Sequence, residues 1–366
     1  MLHQRIMTFN KKAFFISILQ LVGFMTLAND KFTTEEQLAN RYSNEINSFW
    51  QQGDFSTFNG VNNSRINYAA FPNHHADNAK CIVISSGRSE GYLKYKELIF
   101  DLFNQGYSIF LHDHRGQGIS QRLLDNPHKG YVEDFQYYID DLAFFIDNIV
   151  AKQCSAKPYL LAHSMGGAIA ARYLQDFPER IQAAVLSSPM LGFNGGGMPD
   201  FIAKSLVKTS VQLNQWFDDT PWFFGGQKNF TQDSFKNNRL MHSQLRYQAF
   251  TRLYKETPEI QLGGVTAQWL ATSLSALEKL FSNINKITTP TLVLQAGDEK
   301  IVNNQAQDDF CTQLHLLQPQ SCPNGKPIHI AKAYHELFFE SDKYRTQALT
   351  ATLEWFAKHS KINPSQ

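Results

Sequence analysis

Apolar and polar positions along the chain fall into a repeating rhythm with one long interruption. Short, continuous apolar runs at residues 81–86, 107–112, 159–162 and 183–187 predict buried strands. Stretches with apolar residues at helical spacing lie between them and predict helices over 92–104, 135–150 and 166–175. Strands that are apolar throughout are buried on both faces, so the alternation predicts a parallel sheet covered by helices on each side. Ahead of this rhythm, residues 54–71 alternate around Asn62-Asn63, the pattern of a β-hairpin. Thr33 followed by Glu36 reads as a capping box that opens a helix reaching about Gln52. The rhythm stops after Pro189. Residues 191–284 read as mostly helical, with Gly195-Gly196-Gly197 at the entrance and Trp216, Phe217, Trp222, Phe223 and Phe224 in the middle. Strands at 291–295 and 328–331 and a final helix over 345–358 resume the pattern. The expected fold class is therefore α/β. A mostly parallel sheet domain (29–190 and 285–366) carries a helical cap insertion (191–284).

The first residues do not belong to this rhythm. Arg5, Lys11 and Lys12 precede an apolar run over 13–28, interrupted only by Ser17, Gln20, Gly23 and Thr26, and Asn29-Asp30-Lys31 then turns polar. A positive head, a short apolar stretch and a small-residue exit predict a secretory signal peptide over 1–28, with an uncleaved anchor as the alternative. The chain is thus expected to be exported, either periplasmic or membrane-associated on the periplasmic side. Charge adds an exclusion. Lys and Arg number 34 against 33 Asp and Glu, with no basic run to neutralise phosphates, which argues against a nucleic-acid partner. No obligatory protein partner is evident.

Nucleophilic catalysis by serine at a strand–turn–helix elbow leaves the trace G-x-S-x-G, since larger side chains collide in so sharp a turn. Gly87-Arg88-Ser89-Glu90-Gly91 fits this pattern; Ala162-His163-Ser164-Met165-Gly166 departs from it at Ala162. Ser164 is nevertheless the expected nucleophile. Alanine is small enough for the first position, and the helix after Ser164 opens with Gly166, Gly167 and Ala168, which permit close packing on the sheet. The segment after Ser89 begins with bulky Tyr92, Leu93 and Tyr95. An oxyanion hole also needs an earlier strand's loop, and Gly87-Arg88 supplies one for Ser164. The backbone N–H groups of Arg88 and Met165 are the expected oxyanion donors. In the order serine, acid, histidine, Asp298 follows the strand at 291–295 and His335 follows the last strand. Glu299 is the nearest competitor for the acid, and His329 lies within the last strand. His112-Asp113-His114 suggests a metal, but no second cluster with ligand spacing accompanies it, so no metal site is assigned. Serine acyl transfer requires no cofactor.

Three segments make the chain look familiar: Ala162-His163-Ser164-Met165-Gly166-Gly167, Asp113-His114-Arg115-Gly116-Gln117-Gly118 and Tyr334-His335-Glu336. They resemble the monoacylglycerol lipase and bacterial inner-membrane lysophospholipase family of the α/β-hydrolase fold. Gly87-Arg88-Ser89-Glu90, Asp125-Asn126-Pro127-His128 and Tyr247-Gln248 extend the likeness from about Phe49-Trp50 to the C-terminal helix. The resemblance puts Ser164, Asp298 and His335 on triad positions. It implies a serine esterase that cleaves single-chain lipids at a membrane surface, above all lysophospholipids, through an acyl-enzyme. Monoacylglycerol hydrolysis and lysophospholipid transacylation are the alternatives, and a catalytically silent lipid-binding protein is the non-enzymatic one. Trp222, Phe223 and Phe224 of the cap are candidates to line an acyl channel, or else form the cap's own small core. Arg88 stands where the monoacylglycerol lipases have a small residue, and a substrate phosphate is one place its side chain could point. An exported chain departs from the cytoplasmic or inner-membrane location the resemblance implies. The strand order it implies makes the strands near Cys81 and Cys154 neighbours, so a disulfide 81–154 is expected. Cys311 and Cys322 flank a short segment between the acid and the histidine, and a disulfide 311–322 closing a small loop is expected there.

Overall fold

The computed structural model of the chain describes residues 31–74, 80–194 and 200–360. The expected export signal and the glycine run at 195–197 lie outside these residues. Among the described residues, eight strands form one sheet: β1 (Asp54–Asn59), β2 (Arg65–Phe71), β3 (Lys80–Ser85), β4 (Tyr107–His112), β5 (Tyr159–His163), β6 (Ala184–Ser187), β7 (Thr291–Ala296) and β8 (Ile328–Ile330). Their spatial order is β1-β2-β4-β3-β5-β6-β7-β8. The β1–β2 and β2–β4 pairs are antiparallel, and every other pair is parallel. This is the α/β-hydrolase architecture.

The apolar strands are covered on both faces. One side carries α3 (Gln136–Asn148) and α4 (Met165–Asp176), packed on Val83, Phe110, Leu160 and Leu186. The other carries α2 (Lys96–Asn104) and the C-terminal helix (Asp342–Lys358), packed on Ile82, Ile109, Leu161 and Leu294. Successive strand residues point to opposite faces, so two separate cores arise from one sheet.

At the N-terminal side, α1 (Glu35–Arg41) continues through a π-turn (Tyr42–Ile46) into a last helical turn (Asn47–Trp50). Its capping box is formed by Thr34 and Gln37, one residue later than expected. Thr33 is engaged elsewhere: its N–H and its hydroxyl both donate to the buried Asp101 carboxylate, at 3.0 and 2.7 Å.

Between β6 and β7 the chain forms α5 (Asp200–Phe217), α6 (Gln244–Glu256) and α7 (Ala267–Ser282). The stretch 218–243, expected to be mostly helical, contains only the short turn Phe235–Asn237. Pro221 cannot donate inside a helix, and Gly225 and Gly226 take positive φ. Arg246 on α6 ties this region to the rest of the fold. Its guanidinium donates to Glu97 of α2 at 2.9 Å, to Asp342 at 3.0 Å and to the Glu340 carbonyl at 2.8 Å.

Between β7 and β8 lies α8 (Asn304–Leu317), for which the apolar pattern gave no expectation. Cys311 sits on this helix and is bonded to Cys322, whose N–H donates to Thr291 at the start of β7. The expected small loop is therefore a helix pinned beside the sheet. Cys81 on β3 is bonded to Cys154, ahead of the neighbouring strand β5, with Cα atoms 6.2 Å apart. Both expected pairings are present. Among the described residues, no helix is long and apolar enough to cross a membrane.

The disulfides close loops of 73 and 11 residues, so loop-closure entropy gives them about 4 and about 3 kcal/mol of stabilisation. Thiol titration of denatured, unreduced protein should find no free thiol. Replacing Cys81 and Cys154 by Ala and Ser should lower the unfolding midpoint more than the same change at Cys311 and Cys322.

Candidate active site

The sheet order reverses direction at β3 and β5: the chain leaves β3 toward β4 on one side, and β5 lies on the other. Loops from the carboxyl ends of two such strands diverge and leave a crevice between them. Ser85 pairs with Ala162, so the loop after β3 and the turn after β5 face each other. Ser164 occupies that turn with φ 52° and ψ −118°, a strained conformation for a residue with a side chain. The surrounding backbone holds it: Ser164 N–H donates to Ser187 O at 3.1 Å, and Met190 N–H to Ser164 O at 2.9 Å. A Cβ on Gly166 would lie 2.1 Å from the Ser85 carbonyl oxygen, so only glycine lets α4 start this close to β3.

His335 lies in the loop after β8, and its Nε2 is 2.9 Å from Ser164 Oγ. Its Nδ1 is 2.8 Å from Glu299 Oε2. The acid expected here was Asp298, and the structure corrects that expectation. The Asp298 side chain is 45% exposed and pairs with Lys300, whereas the Glu299 side chain is 2% exposed. The reason lies in the turn after β7. Gly297 N–H and Asp298 N–H donate to Ile330 O and Ala333 O, which fixes the turn against β8 and leaves Asp298 directed to solvent. The next residue points inward, and the longer glutamate spans the remaining distance to the imidazole. Its other oxygen, Oε1, accepts from the N–H groups of Lys300 and Ile301 at 2.9 and 2.7 Å. Burial raises the Glu299 pKa, but the His335 hydrogen bond and charge, with the Ile301 and Val302 N–H groups, outweigh it and hold the carboxyl below its ordinary value.

Ser89, the residue that fits the G-x-S-x-G pattern, is not near this set in its bonding. Its hydroxyl donates to the Arg88 carbonyl at 2.6 Å, and its own carbonyl accepts from Tyr254 OH. Gly87 beside it belongs to the loop facing Ser164: a Cβ there would lie 3.0 Å from the His163 ring. The Arg88 side chain turns toward the cap, and Nη1 donates to the Gly263 carbonyl at 2.8 Å. It therefore binds the loop after β3 to the segment before α7. Met165 opens α4, so its N–H is at a helix N-terminus, where developing negative charge is favoured. His163 lies beside His335, with ring centroids 4.9 Å apart and the rings tilted by 54°. Burial, opposed by Glu90, brings the His163 pKa down to about 4, so this neighbour stays neutral.

His112, Asp113 and His114 do not converge. The two imidazoles meet edge to face at 4.8 Å, while Asp113 accepts from Tyr92 N–H and Ile119 N–H at 2.6 and 2.8 Å. His329, on β8, pairs with Gln295, as its place in the strand implied. Trp222 is held at the end of α5, its indole N–H donating to Asp218 at 2.8 Å. Phe223 bridges to Thr266, and Phe224 is partly buried against the core.

The sequence pattern of the serine aminopeptidase S33 family matches residues 76–342. The lysophospholipase L2 of Escherichia coli strain K12 is 38% identical over 332 residues, covering 90% of this chain and 94% of that one. The chain belongs to this family of α/β-hydrolases. The probable lysophospholipase L2 of Haemophilus influenzae is 33% identical, over 83% of this chain and 92% of its own length. Among solved structures, the monoacylglycerol lipase of Paleococcus ferrophilus shares the fold with a TM-score of 0.60 and 21% identity, covering 81% of this chain and 99% of that one.

The two candidate acids separate by substitution. Glu299→Gln should lower kcat on a soluble ester by about 10⁴-fold, the cost when the carboxylate behind a catalytic imidazole is neutralised. Asp298→Asn should stay close to the unmodified enzyme. The reverse result would return the role to Asp298. Ser164→Ala should abolish turnover while Ser89→Ala retains it.

Proposed function

We propose that this carboxylic-ester hydrolase releases the fatty acid from lysophospholipids through an acyl-enzyme on Ser164. The observation that carries the reading is the hydrogen-bonded series Ser164–His335–Glu299 at the carboxyl end of β5. In this mechanism His335 Nε2 takes the hydroxyl proton as Ser164 Oγ attacks the ester carbonyl. Glu299 keeps the proton on Nδ1 and stabilises the imidazolium. The N–H groups of Arg88 and Met165 hold the oxyanion. His335 then protonates the departing alcohol, and water deprotonated by the same imidazole frees the fatty acid.

The kinship with the L2 lysophospholipases supports the substrate class, and the cap supports a lipid surface. Along α5, Ile202, Leu206, Leu213 and Phe217 recur at helical spacing and are exposed, beside Phe201 and Trp216. Trp216 and Phe217 are each about three-quarters exposed, at 75% and 74%, more apolar surface than a water-facing helix end usually presents. Lys208 lies on the same helix, where an ammonium group suits anionic lipid headgroups, while Lys204 pairs with Glu278 at 2.7 Å. Two disulfides support an oxidising location such as the periplasm. Trp222, Phe223 and Phe224 are the proposed wall of the acyl channel.

Fatty-acid release from a panel of lysophospholipids, monoacylglycerols and diacyl phospholipids tests the substrate. Lysophospholipids should be turned over fastest; a preference for monoacylglycerols would shift the assignment. Transfer of the acyl group to a second lysophospholipid would appear as a diacyl product. Trp216→Ser with Phe217→Ser should weaken binding to anionic vesicles and slow turnover of vesicle-borne lipid, with soluble-ester turnover retained. Phe223→Ser should flatten the dependence of rate on acyl-chain length, because each buried methylene is worth about 0.8 kcal/mol.

A further inference from the structure

A buried charge cluster next to the site takes no part in the scheme above. Lys94 is 7% exposed, and its Nζ lies 2.6 Å from Glu90 Oε1 and 2.6 Å from Glu336 Oε2. Glu90 belongs to the loop after β3. Its Oε2 accepts from Gly87 N–H and from Tyr95 OH, both at 2.6 Å. Glu336 is the residue after His335, and its N–H donates to the Leu240 carbonyl of the insertion at 2.9 Å. One ammonium group thus joins the loop that carries Arg88 to the loop that carries the imidazole. Gln117 closes the arrangement from a third side, its amide donating to the Gly87 and Glu90 carbonyls at 2.8 and 2.9 Å. The insertion reaches the same atom: the Phe250 ring of α6 lies 4.8 Å from Nζ, and the Phe339 ring lies 4.6 Å away.

We propose that Lys94 is a positioning residue, which fixes the loop after β3 and the His335 loop relative to each other so that oxyanion donors and imidazole act on one carbonyl. This rests on the reading of Ser164, His335 and Glu299 as the reacting set. The physical reason is the cost of two buried carboxylates. Both lie out of water with a cation between them, and removing that cation leaves buried negative charge without its counter-charge. Glu90 and Glu336 would then separate or take up a proton, and each carries its loop with it. The protonation balance agrees with this. Burial pushes Glu90 up, but Lys94, His163 and the Lys94 and Tyr95 hydrogen bonds bring it down to about 2. Burial and the Glu90 charge raise Glu336, so it is the more easily protonated partner. Both carboxylates raise the Lys94 pKa against the effect of burial, so the ammonium stays charged. A gap between oxyanion donors and base that is wrong by an ångström slows the chemical step without weakening substrate binding, since neither loop contact involves the lipid tail.

The test uses the full chain with p-nitrophenyl butyrate as substrate. Thermal unfolding establishes folding, and the labelling rate with a fluorophosphonate probe reports on Ser164. Lys94→Met keeps the stem and removes the charge. It should lower kcat by about 10²-fold, the scale of a small misplacement of reacting groups, with KM nearly unchanged and probe labelling slowed in step with kcat. A folded Lys94→Met enzyme with unaltered kcat, or one that loses affinity instead of rate, overturns the proposal. Should that variant fail to fold, Glu336→Gln asks the same question with the Glu90–Lys94 pair intact. A smaller fall in kcat at constant KM supports the positioning role, and unaltered kcat overturns it. Failure of the unsubstituted protein to label would instead sink the assignment of Ser164 itself.

Discussion

The close approach of α4 to the loop after β3 sets the geometry on which the rest of the site depends. Gly166 lies so near the Ser85 and Ser86 carbonyls that no side chain fits between them, and Gly167 meets Pro189 in the same way. With the helix start pressed against β3, the residue before it must turn sharply, which is the origin of the positive φ at Ser164. The turn is strained, and strain persists only where the surroundings over-determine it. Here the hydrogen bonds to Ser187 and Met190 and the two glycine contacts supply that constraint. Alanine is tolerated at position 162 because the tight contacts fall on the helix side of the elbow, at Gly166 and Gly167.

Charge is distributed around this elbow in two separate arrangements. Glu299 and His335 form the one that faces Ser164. Glu90, Lys94 and Glu336 form the other, behind the loops that carry the donors and the base. A third set, Arg246 with Glu97 and Asp342 and Arg345 with Asp101, joins the insertion, α2 and the C-terminal helix. Buried ion pairs are poor sources of net stability but costly to break singly, so they suit elements that must keep one relative position. Here they tie the insertion, α2, the C-terminal helix and the loops around Ser164 and His335 to one another.

Much of this was legible in the chain. Continuous apolar strands and intervening helical periods specify a two-faced parallel sheet, because a strand apolar on both sides has no other stable place. The choice of Ser164 over Ser89 followed from residue size, since Gly166-Gly167-Ala168 can pack tightly and Tyr92-Leu93-Tyr95 cannot, and from the earlier loop at Gly87-Arg88 that could supply an oxyanion donor. The strand order implied by the family resemblance joined two cysteines distant in sequence. Periodicity was less informative where packing is one-sided. Helix α8 carries polar residues such as Asn304, Gln305, Asp308 and Asp309 among few apolar ones, so its buried stripe of Phe310, Cys311 and Leu314 is narrow. In the insertion, residues 218–243 follow Pro221, Gly225, Gly226 and local side-chain bonds rather than a helical period.

The acid shows where sequence stops. Asp298 and Glu299 are adjacent, both carboxylates, and both follow the same strand. Which one meets His335 depends on the direction each side chain takes out of a turn held by β8 and the loop after it, contacts that join residues more than thirty positions apart. Lys94 is the same kind of case. Its spacing from Glu90 suggests a helical ion pair, but Glu336 lies 242 positions away and reaches it only when the sheet is assembled. The sequence by itself determined the sheet, the elbow serine and the histidine, because each follows from local size, polarity or order along the chain, whereas pairing Cys81 with Cys154 also needed the strand order that the family resemblance implies. Only the tertiary structure decided which carboxylate holds the imidazole and which cation ties its loop in place, because those choices are made by directions and distances between segments far apart in sequence.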